Sequence, residues 1–417
     1  MVEARVIGGA IRLLAPNEGV YVLDLEGRPT FFEHGMRSYE RGLSGLLVRK
    51  SWDGGRRIVE EVPGGERESL LEHVYGAVRR ALEGAADEAT RDALALAASR
   101  GIGWLREDER HFASLYMPIS ILPPDQYLSI VLQATVGCSY NKCSFCDFYR
   151  DRGYRAKDPR EFEAHAREVR EWLGAGAMLR GRIFLADANP LGAPRDYVLE
   201  YARIARETFP GRDLFAFADY FSTRLTPSDY ARLRSMGLRR VYIGLESGSR
   251  EVLRVLNKPP EPRLAVRMAR SLGEAGISRG LIVLVGAGGR GLWRRHVRET
   301  VDVIDSMDLG GDDLIFLSRL LVKPGSPYAL AERDHMEARE LDAQEREFED
   351  ELRSRGLRVA PYDIREAIYR SRRPAASCTR PRGPRRRRPA AYPSARLGPP
   401  PAPRPRAPSR RWWPCAR

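Results

Sequence analysis

Cysteine is scarce in this sequence. Only five cysteines occur among 417 residues, and three of them, Cys138, Cys143 and Cys146, fall within one short segment. Secreted proteins that depend on disulfides spread more cysteines along the chain, so this usage excludes a disulfide framework and favours a reducing compartment. Three clustered cysteines fit a metal or cluster site instead.

Long hydrophobic runs are also missing. The longest strongly apolar stretch covers residues 280–286, which is the length of a strand and far short of a membrane span. The first residues, Met-Val-Glu-Ala-Arg, lack the basic start and the apolar stretch of a secretory signal. We therefore expect a cytoplasmic protein that does not associate with membranes.

Lysine, aspartate and glutamate are absent from residues 371–417, which carry 14 arginines. The net charge of +14 comes entirely from this tail, because residues 1–370 hold 56 basic and 56 acidic residues. A neutral body argues against a general RNA-binding surface, so we do not expect nucleic acid to bind residues 1–370. The tail is rich in proline, and its amino-acid composition differs abruptly from that of the preceding residues. This composition predicts disorder. An RNA-binding arm, with arginines for phosphates and Trp412 and Trp413 for stacking, is the alternative.

Two kinds of pattern divide the rest of the chain. Residues 1–115 combine strand-like runs at 20–25 and 29–32 with a helical pattern over 66–100, which indicates a separate N-terminal α+β region. Strands and amphipathic helices then alternate through residues 124–345, and a helical extension is expected at 346–370. The predicted strands cover residues 127–135, 183–186, 214–219, 241–245, 281–285 and 314–322.

Six strand–helix units in one run predict a parallel sheet, because parallel strands need crossover helices between them. Six units rather than eight indicate an incomplete barrel. The predicted fold class is therefore α/β, a partial (βα)6 barrel of the TIM type. The N-terminal α+β region precedes it and the disordered tail follows it.

The three clustered cysteines directly follow the first predicted strand of this series. A closed structural zinc site needs four ligands, yet no fourth cysteine or histidine is close, and His165 falls within a predicted helix. Standard ligation of a [4Fe–4S] cluster also uses four cysteines, whereas this segment supplies three. Three ligands leave one iron available to a small molecule, which favours a reactive cluster held by Cys138, Cys143 and Cys146. A zinc knuckle that recruits a distant histidine is the alternative.

With these features the sequence resembles the radical S-adenosylmethionine (SAM) superfamily. The resemblance rests on the cysteine loop after the first strand, on Phe145 just before the last cysteine, and on the six strand–helix units. The usual spacing has three residues between the first two cysteines, whereas this chain has four, residues 139–142. That longer spacing is similar to the subgroup of coproporphyrinogen III oxidase-like radical SAM proteins.

The resemblance implies two cofactors, a [4Fe–4S] cluster and SAM. The cluster would receive an electron from an external donor of the reduced ferredoxin or flavodoxin type and cleave SAM to a 5′-deoxyadenosyl radical. That radical would abstract hydrogen from an unidentified small-molecule substrate. The alternative function is a nucleic-acid-associated protein, either a tRNA-modifying radical SAM enzyme or a structural cluster or zinc protein with an RNA-binding tail.

The resemblance also implies SAM-binding residues at the carboxyl ends of the strands, where barrels of this type place their sites. Asp187 and Asn189 follow the second strand, where the superfamily has a Gly-Gly-Glu segment, and either one could accept a hydrogen bond from the SAM amino group. An Asx-Pro turn is the alternative for both. Phe145 belongs to the same predicted cofactor site through its position next to Cys146.

Three further cofactor-binding residues follow later strands. Glu246 and Ser247 end the fourth strand, where a carboxylate suits the ribose hydroxyls, although this segment also suits a helix start capped by Ser249. Gly286 follows the fifth strand and is expected near the adenine, with an ordinary glycine turn as the alternative. Asp219, at the end of the third strand, is a candidate for substrate contact.

Overall fold

The structure, a computed structural model, describes residues 2–53, 56–331, 334–366 and Tyr369. The predicted disorder of the tail and the two cysteines Cys378 and Cys415 lie outside the described residues. None of the helices within the described ranges is long and apolar enough to cross a membrane.

The N-terminal region is a seven-stranded antiparallel meander followed by three helices. Each strand pairs with the next along the chain, and side chains alternate between a buried and an exposed face along strand 2. The strands are β1 (Glu3–Ile7), β2 (Ala10–Ala15), β3 (Gly19–Asp24), β4 (Pro29–His34), β5 (Arg37–Arg41), β6 (Leu47–Asp53) and β7 (Arg56–Glu61), and the helices are α1 (Gly64–Leu82), α2 (Glu88–Ser99) and α3 (Ile102–Leu115).

This region has the predicted α+β character, and the two predicted strand-like runs form the antiparallel pair β3 and β4. The predicted helical stretch over 66–100 divides into α1 and α2, because the Asp87 side chain accepts a hydrogen bond from the Thr90 amide at 2.8 Å and starts a new helix. The other five strands were not predicted. Several of them carry many charged residues, which hides their alternation in the sequence.

A parallel sheet with strands and helices in alternation forms the rest of the described chain. Its elements are β8 (Ile130–Gln133), β9 (Thr135–Val136), β10 (Arg155–Ala156), α4 (Pro159–Leu173), β11 (Arg182–Ala186), α5 (Arg195–Thr208), β12 (Asp213–Ala218), α6 (Pro227–Ser235), β13 (Leu238–Glu246), α7 (Arg250–Val255), α8 (Pro262–Glu274), β14 (Ser278–Val285), α9 (Gly289–Asp305), β15 (Leu314–Arg319), α10 (Pro327–Ala331), α11 (Ala338–Ser354) and β16 (Val359–Pro361). The strand order is β8-β11-β12-β13-β14-β15-β16, and every pair is parallel. The α/β fold with a partial barrel is thereby confirmed.

The seventh strand corrects the predicted helical extension at 346–370. Helix α11 ends at Ser354, and β16 then pairs with β15, with Val359 opposite Ile315 and Pro361 opposite Leu317. The prediction is therefore wrong for residues 359–361. A strand of three residues is too short to show a period, and its proline is tolerated because β16 lies at the sheet edge.

The N-terminal region has a hydrophobic cluster of its own, and some of its residues also join the core of the barrel. Leu43, Val48 and Phe112 pack in the same buried cluster as residues of β8, β11 and β15. The sequence pattern, which suggested a separate region, contains no signal for this long-range contact.

Arg28 links the two parts in the buried interface. Its guanidinium donates to Asp108 at 2.9–3.0 Å and to Asp24 at 3.4 Å, and it reaches the carbonyls of Trp172 and Leu173, at the end of α4, at 2.9 and 3.3 Å. The side chains of Arg28, Asp24 and Asp108 are each 3% exposed or less, so water cannot replace these bonds. Removing one partner from such a buried group leaves uncompensated charge.

We expect Arg28→Met to destabilise the protein by about 3–5 kcal/mol, because Asp108 loses its buried counter-charge and Asp24 keeps only the one from Arg180. Urea unfolding at neutral pH measures the change. The matched control is Arg106→Met, which breaks the solvent-exposed Arg106–Glu68 pair and should change the unfolding free energy far less. Equal losses in the two variants would refute the role assigned to Arg28.

Two buried histidines are held in the neutral form. His165 in α4 accepts a hydrogen bond at Nε2 from the Gln133 amide at 3.0 Å, and His296 in α9 lies 3.1 Å from the Leu284 carbonyl through its Nε2. Burial lowers the pKa of His165 to about 3 and that of His296 to about 4. Both histidines therefore take up protons more readily in the unfolded chain than in the folded one.

We expect the free energy of unfolding of the metal-free protein to fall as the pH drops from about 6.5 to 4, because the unfolded chain then binds more protons. Each histidine contributes roughly 1.4 kcal/mol per pH unit within that window. In His165→Gln, which keeps an acceptor, the slope should be smaller. Denaturant titrations across this pH range measure both slopes, and identical slopes would contradict the prediction.

Candidate functional site

The three clustered cysteines lie on a loop, residues 137–154, that joins β9 to β10. The two short strands pair antiparallel, with Val136 opposite Arg155, so both ends of the loop are fixed on the barrel rim. Gly137 begins the loop at φ +75°, and a Cβ there would lie 2.8 Å from the Gly153 carbonyl oxygen. Only glycine fits this turn.

The backbone of the cysteine loop is organised by Arg150. Its guanidinium donates to the carbonyls of Asn141, Cys143 and Cys146, the last two at 2.6 and 3.2 Å. The Asn141 side-chain amide donates to the Tyr149 carbonyl at 2.7 Å. These bonds shape the loop and leave the thiols free of them.

The turn after α7 holds the same loop from the other side. The Ser144 amide donates to the Leu256 carbonyl at 2.9 Å, and the Tyr140 hydroxyl donates to the Asn257 carbonyl at 2.8 Å. The Asn257 side-chain amide returns a bond of 2.8 Å to the Lys142 carbonyl. The carboxyl ends of β8 and β13 are thus joined through the cysteine loop.

The cysteine side chains suit a cluster. All three are partly buried, and Cys138 Sγ accepts a hydrogen bond from the Asn141 amide at 3.4 Å. Burial raises the pKa of Cys143 to about 12 and that of Cys146 to about 11. Neighbouring cysteines of the same loop also raise the pKa of each of these two thiols. A metal centre would bind these thiols as thiolates and release their protons.

No group of three or more His, Cys, Asp or Glu side chains in the described part of the chain is arranged around a single metal ion. In a [4Fe–4S] cluster each thiolate binds a different iron, so its three cysteines need not converge on one point. Three partly buried thiols on one loop therefore fit this cluster, with one iron lacking a protein ligand.

Asp187, which was predicted to bind the SAM amino group, is buried next to the first residue of the cysteine loop. It is 2% exposed, its Oδ2 accepts from the Gly137 amide at 3.4 Å, and it lies 3.8 Å from the Arg152 guanidinium. Burial raises the pKa of Asp187 to about 7, although Arg152 opposes this rise. The structure thus shows Asp187 anchoring the first residue of the loop.

Asn189 lies at the centre of a polar network that also includes Asp219. Its side-chain amide donates to Ser139 Oγ at 3.1 Å, to Asp219 Oδ2 at 2.8 Å and to Ser222 Oγ at 2.9 Å. Asp219 in turn accepts from the backbone amides of Phe221 and Ser222 at 3.2 and 2.6 Å, so it caps that turn. The network connects the cysteine loop to the ends of β11 and β12.

Glu246 ends β13 in the left-handed region, at φ +60°, where the pairing with β14 shifts by one residue. Its Oε1 accepts from the Lys258 ammonium at 3.1 Å, and Lys258 also donates to the Gly244 carbonyl. Both residues lie close enough to Cys143 to act on the pKa of its thiol. Lys258 lowers this pKa and Glu246 raises it, and burial, which raises it, has the largest effect. Glu246 therefore lies near the cysteines, where it forms an ion pair with Lys258.

Sequence reasoning missed Lys258. This lysine follows α7 and precedes Pro259, a position that resembles an ordinary exposed turn, yet it is only 7% exposed. The only sequence signal is its place just after the fourth strand–helix unit, whose strand ends at Glu246.

Ser247 does not join this group. Its side chain is fully buried and lies 2.9 Å from His296 Nδ1 and 3.4 Å from the Thr300 hydroxyl, against α9. Its oxygen also accepts from the Ser249 amide at 3.0 Å. Ser247 is therefore buried because α9 packs on the end of β13.

Gly286 and Phe145 are covered from outside the barrel. The Gly286 amide donates to Gln344 Oε1 of α11 at 2.7 Å, and a Cβ on Gly286 would lie 2.6 Å from Leu341. Helix α11 thus approaches the backbone closely at Gly286, the residue that was expected near the adenine.

Phe145 packs, half-buried, against a cluster that includes Tyr328.

A cavity of about 1170 Å³ opens at the amino ends of the strands, opposite the cysteine loop. Its wall mixes arginines and carboxylates that pair with each other, as in Arg239–Asp213 at 2.8 Å and Arg279–Asp313 at 2.6 Å. In barrels of this type the amino-terminal face serves stability, whereas ligands bind at the other end.

Comparisons with known proteins agree with the site. Residues 132–304, from β8 through most of α9, match the Radical SAM superfamily. A curated relative, 4'-phospho-dehydrooxetanocin synthase of Priestia megaterium, is 27% identical over 165 residues, which are 35% of this chain and 22% of that protein. This chain therefore spans about a fifth of the length of that relative.

Solved structures with a similar fold include coproporphyrinogen III oxidase (HemN) of Escherichia coli, with a TM-score of 0.45 and 13% identity over 62% of this chain and 57% of that one. SuiB of Streptococcus suis bound to S-adenosylmethionine has a TM-score of 0.43 and 14% identity over 80% of this chain and 73% of that one. Likeness at this level carries no argument about activity. The identification rests on the matched domain together with the cysteine loop that it contains: residues 132–304 of this chain are a radical SAM domain, the domain of a superfamily of enzymes whose cofactors are a [4Fe–4S] cluster and S-adenosylmethionine.

Proposed function

We propose that this chain is a radical SAM enzyme in which Cys138, Cys143 and Cys146 hold the cluster and an unidentified small molecule is the substrate. The observation that carries the proposal is the loop itself. Three partly buried thiols lie on a fixed loop at the carboxyl end of the first barrel strand, within the matched domain.

When bound and reduced, the [4Fe–4S] cluster supplies the electron that cleaves SAM to methionine and a 5′-deoxyadenosyl radical, which abstracts hydrogen from the substrate. The chain's own residues prepare the place for this chemistry. Arg150 and the α7 turn fix the loop backbone, and Asp187 fixes its first residue. These bonds hold the thiols in one arrangement before the cofactor arrives, which is the protein's main contribution in cofactor enzymes.

Glu246 supplies an acceptor for the bound nucleoside. Its Oε1 pairs with Lys258, and an ionised carboxylate makes stronger hydrogen bonds to hydroxyls than a neutral group does. We assign it to the ribose hydroxyls of SAM. Asn189 remains our candidate for the SAM amino group, since its side chain lies in the polar network next to Ser139 of the cysteine loop.

Enzymes of this superfamily need an external reductant and a substrate. For this chain we propose a reduced ferredoxin or flavodoxin as the electron donor and a cytoplasmic location, which fits the cysteine usage. The nucleic-acid alternative depends on residues 371–417, which lie outside the described part of the chain.

The reduced, anaerobically reconstituted protein should bind an oxygen-sensitive [4Fe–4S] cluster and convert SAM to 5′-deoxyadenosine and methionine. Iron and sulfide analysis measures the first property, and chromatography after dithionite reduction measures the second. Replacing all three cysteines by alanine removes every proposed protein ligand, so both properties should be lost.

Two results would contradict the proposal. One is full cluster loading in the triple alanine variant. The other is an intact cluster in the wild-type protein that leaves SAM uncleaved. Stoichiometric zinc without iron in anaerobically prepared protein would support the zinc knuckle instead.

Glu246→Ala should weaken SAM binding by about 1.5–3 kcal/mol, roughly ten- to a hundred-fold, because a charge-assisted hydrogen bond is lost. Glu246→Gln keeps one acceptor oxygen and should lose less. Equilibrium binding of SAM to the oxidised, cluster-loaded protein measures both, with normal iron content as the control. Unchanged affinity together with a lower thermal midpoint would show that Glu246 only shapes the turn.

A further inference from the structure

Lys258 is enclosed by a cage of protein groups next to the cysteine loop. Its ammonium donates to Glu246 Oε1 at 3.1 Å and to the Gly244 carbonyl, and it lies 5.3 Å from the centre of the Tyr220 ring. The Lys258 and Glu246 side chains are only 6% and 13% exposed. A cationic group buried in this way keeps its charge only with such partners.

The backbone of β13 is shaped to make room for this pair. A Cβ on Gly244 would lie 2.7 Å from Glu246 Oε1 and 3.3 Å from Lys258 Nζ, so any larger residue would push the pair aside. Glu246 itself adopts the left-handed φ of +60°, which is uncommon for a residue with a side chain. The local sequence Gly-Leu-Glu therefore accommodates the ion pair at the strand end.

The turn that carries Lys258 is bonded to the cysteine loop. The neighbouring Asn257, at φ +49°, donates through its side-chain amide to the Lys142 carbonyl at 2.8 Å and accepts from the Tyr140 hydroxyl through its own carbonyl. Lys142 directly precedes Cys143. The ammonium is therefore held at a fixed position relative to this cysteine.

The Lys258 ammonium and the Glu246 carboxylate are both buried at the end of β13, and the turn that carries Lys258 is bonded to Lys142, the residue before Cys143. Burial alone would lower the pKa of Lys258, but Glu246 raises it above its usual value, so the ammonium stays protonated. Charges in a medium of low dielectric constant interact several-fold more strongly than in water.

We propose that the caged Lys258 ammonium raises the reduction potential of the cluster bound at Cys143, and that Glu246 limits this effect. The inference rests on the proposed function, since it presupposes the cluster. Reduction adds one electron from the external donor to the cluster and moves no proton from Lys258. The added negative charge is stabilised by the nearby cation and opposed by the carboxylate, which makes Lys258 a positioning and tuning residue.

The test is a redox titration of the reconstituted full-length protein without SAM, followed by EPR of the reduced cluster. Lys258→Met should lower the midpoint potential, and Glu246→Gln should raise it, because the two changes remove charges of opposite sign. We expect a change of about tenfold in the ratio of reduced to oxidised cluster at a fixed potential, which is 59 mV for a one-electron couple. Lys258→Arg, which keeps the charge, should shift the potential least of the three.

A matched control is Lys323→Met. Lys323 also pairs with a carboxylate beside a cluster cysteine, Asp147 next to Cys146, but the two side chains are 61% and 49% exposed. Water and salt screen this pair, so its removal should shift the potential much less. A shift in Lys323→Met as large as that in Lys258→Met would overturn the inference, because burial would then not matter.

Two further outcomes separate this inference from the proposed function. If all variants load iron and sulfide normally and share the wild-type potential, the inference is wrong while the cluster assignment stands. If the wild-type protein loads no cluster, the proposed function itself fails. Should Lys258→Met fold poorly, Glu246→Gln still decides the matter, because a potential that falls or does not move in that variant contradicts the proposed sign.

Discussion

The site depends on one constraint, the fixing of the cysteine loop by bonds that do not involve its thiols. The paired strands β9 and β10 hold the two ends of the loop together. Arg150 donates hydrogen bonds to its backbone carbonyls, and the turn after α7 is hydrogen-bonded to its middle. A loop of this length without such bonds would pay a large entropic cost each time it gathered three ligands around a cofactor. Because the fastening bonds use only backbone and polar side-chain atoms, the sulfur atoms remain available to iron.

The same constraint explains why the residues around the loop behave as they do. Asp187 and the network around Asn189 connect the loop to the ends of β11 and β12. Glu246 and Lys258 form a buried pair on the opposite side, at the end of β13. Elsewhere in the fold, the N-terminal region joins the barrel through Phe112 of α3 and through the buried Arg28.

The sequence predicted those parts of the fold and site that depend on local pattern. Six buried strands alternate with amphipathic helices, so their order and parallel pairing could be inferred, and the cysteine spacing located the loop. Contacts between distant segments left no such pattern. Lys258 looks like a turn residue, β16 is too short for a period, and the α11 residues that cover Gly286 lie more than 50 positions away in sequence. The roles of Asp187 and Ser247 likewise depend on partners that only the folded chain brings together.

The central claim is that three protein ligands leave one iron of the cluster free to bind SAM. The most direct measurement is the EPR spectrum of the dithionite-reduced, reconstituted protein before and after SAM is added. This account predicts a reduced [4Fe–4S] signal whose shape changes as SAM saturates the site, because the open iron gains new ligands. A reduced-cluster signal that stays the same at saturating SAM would contradict it.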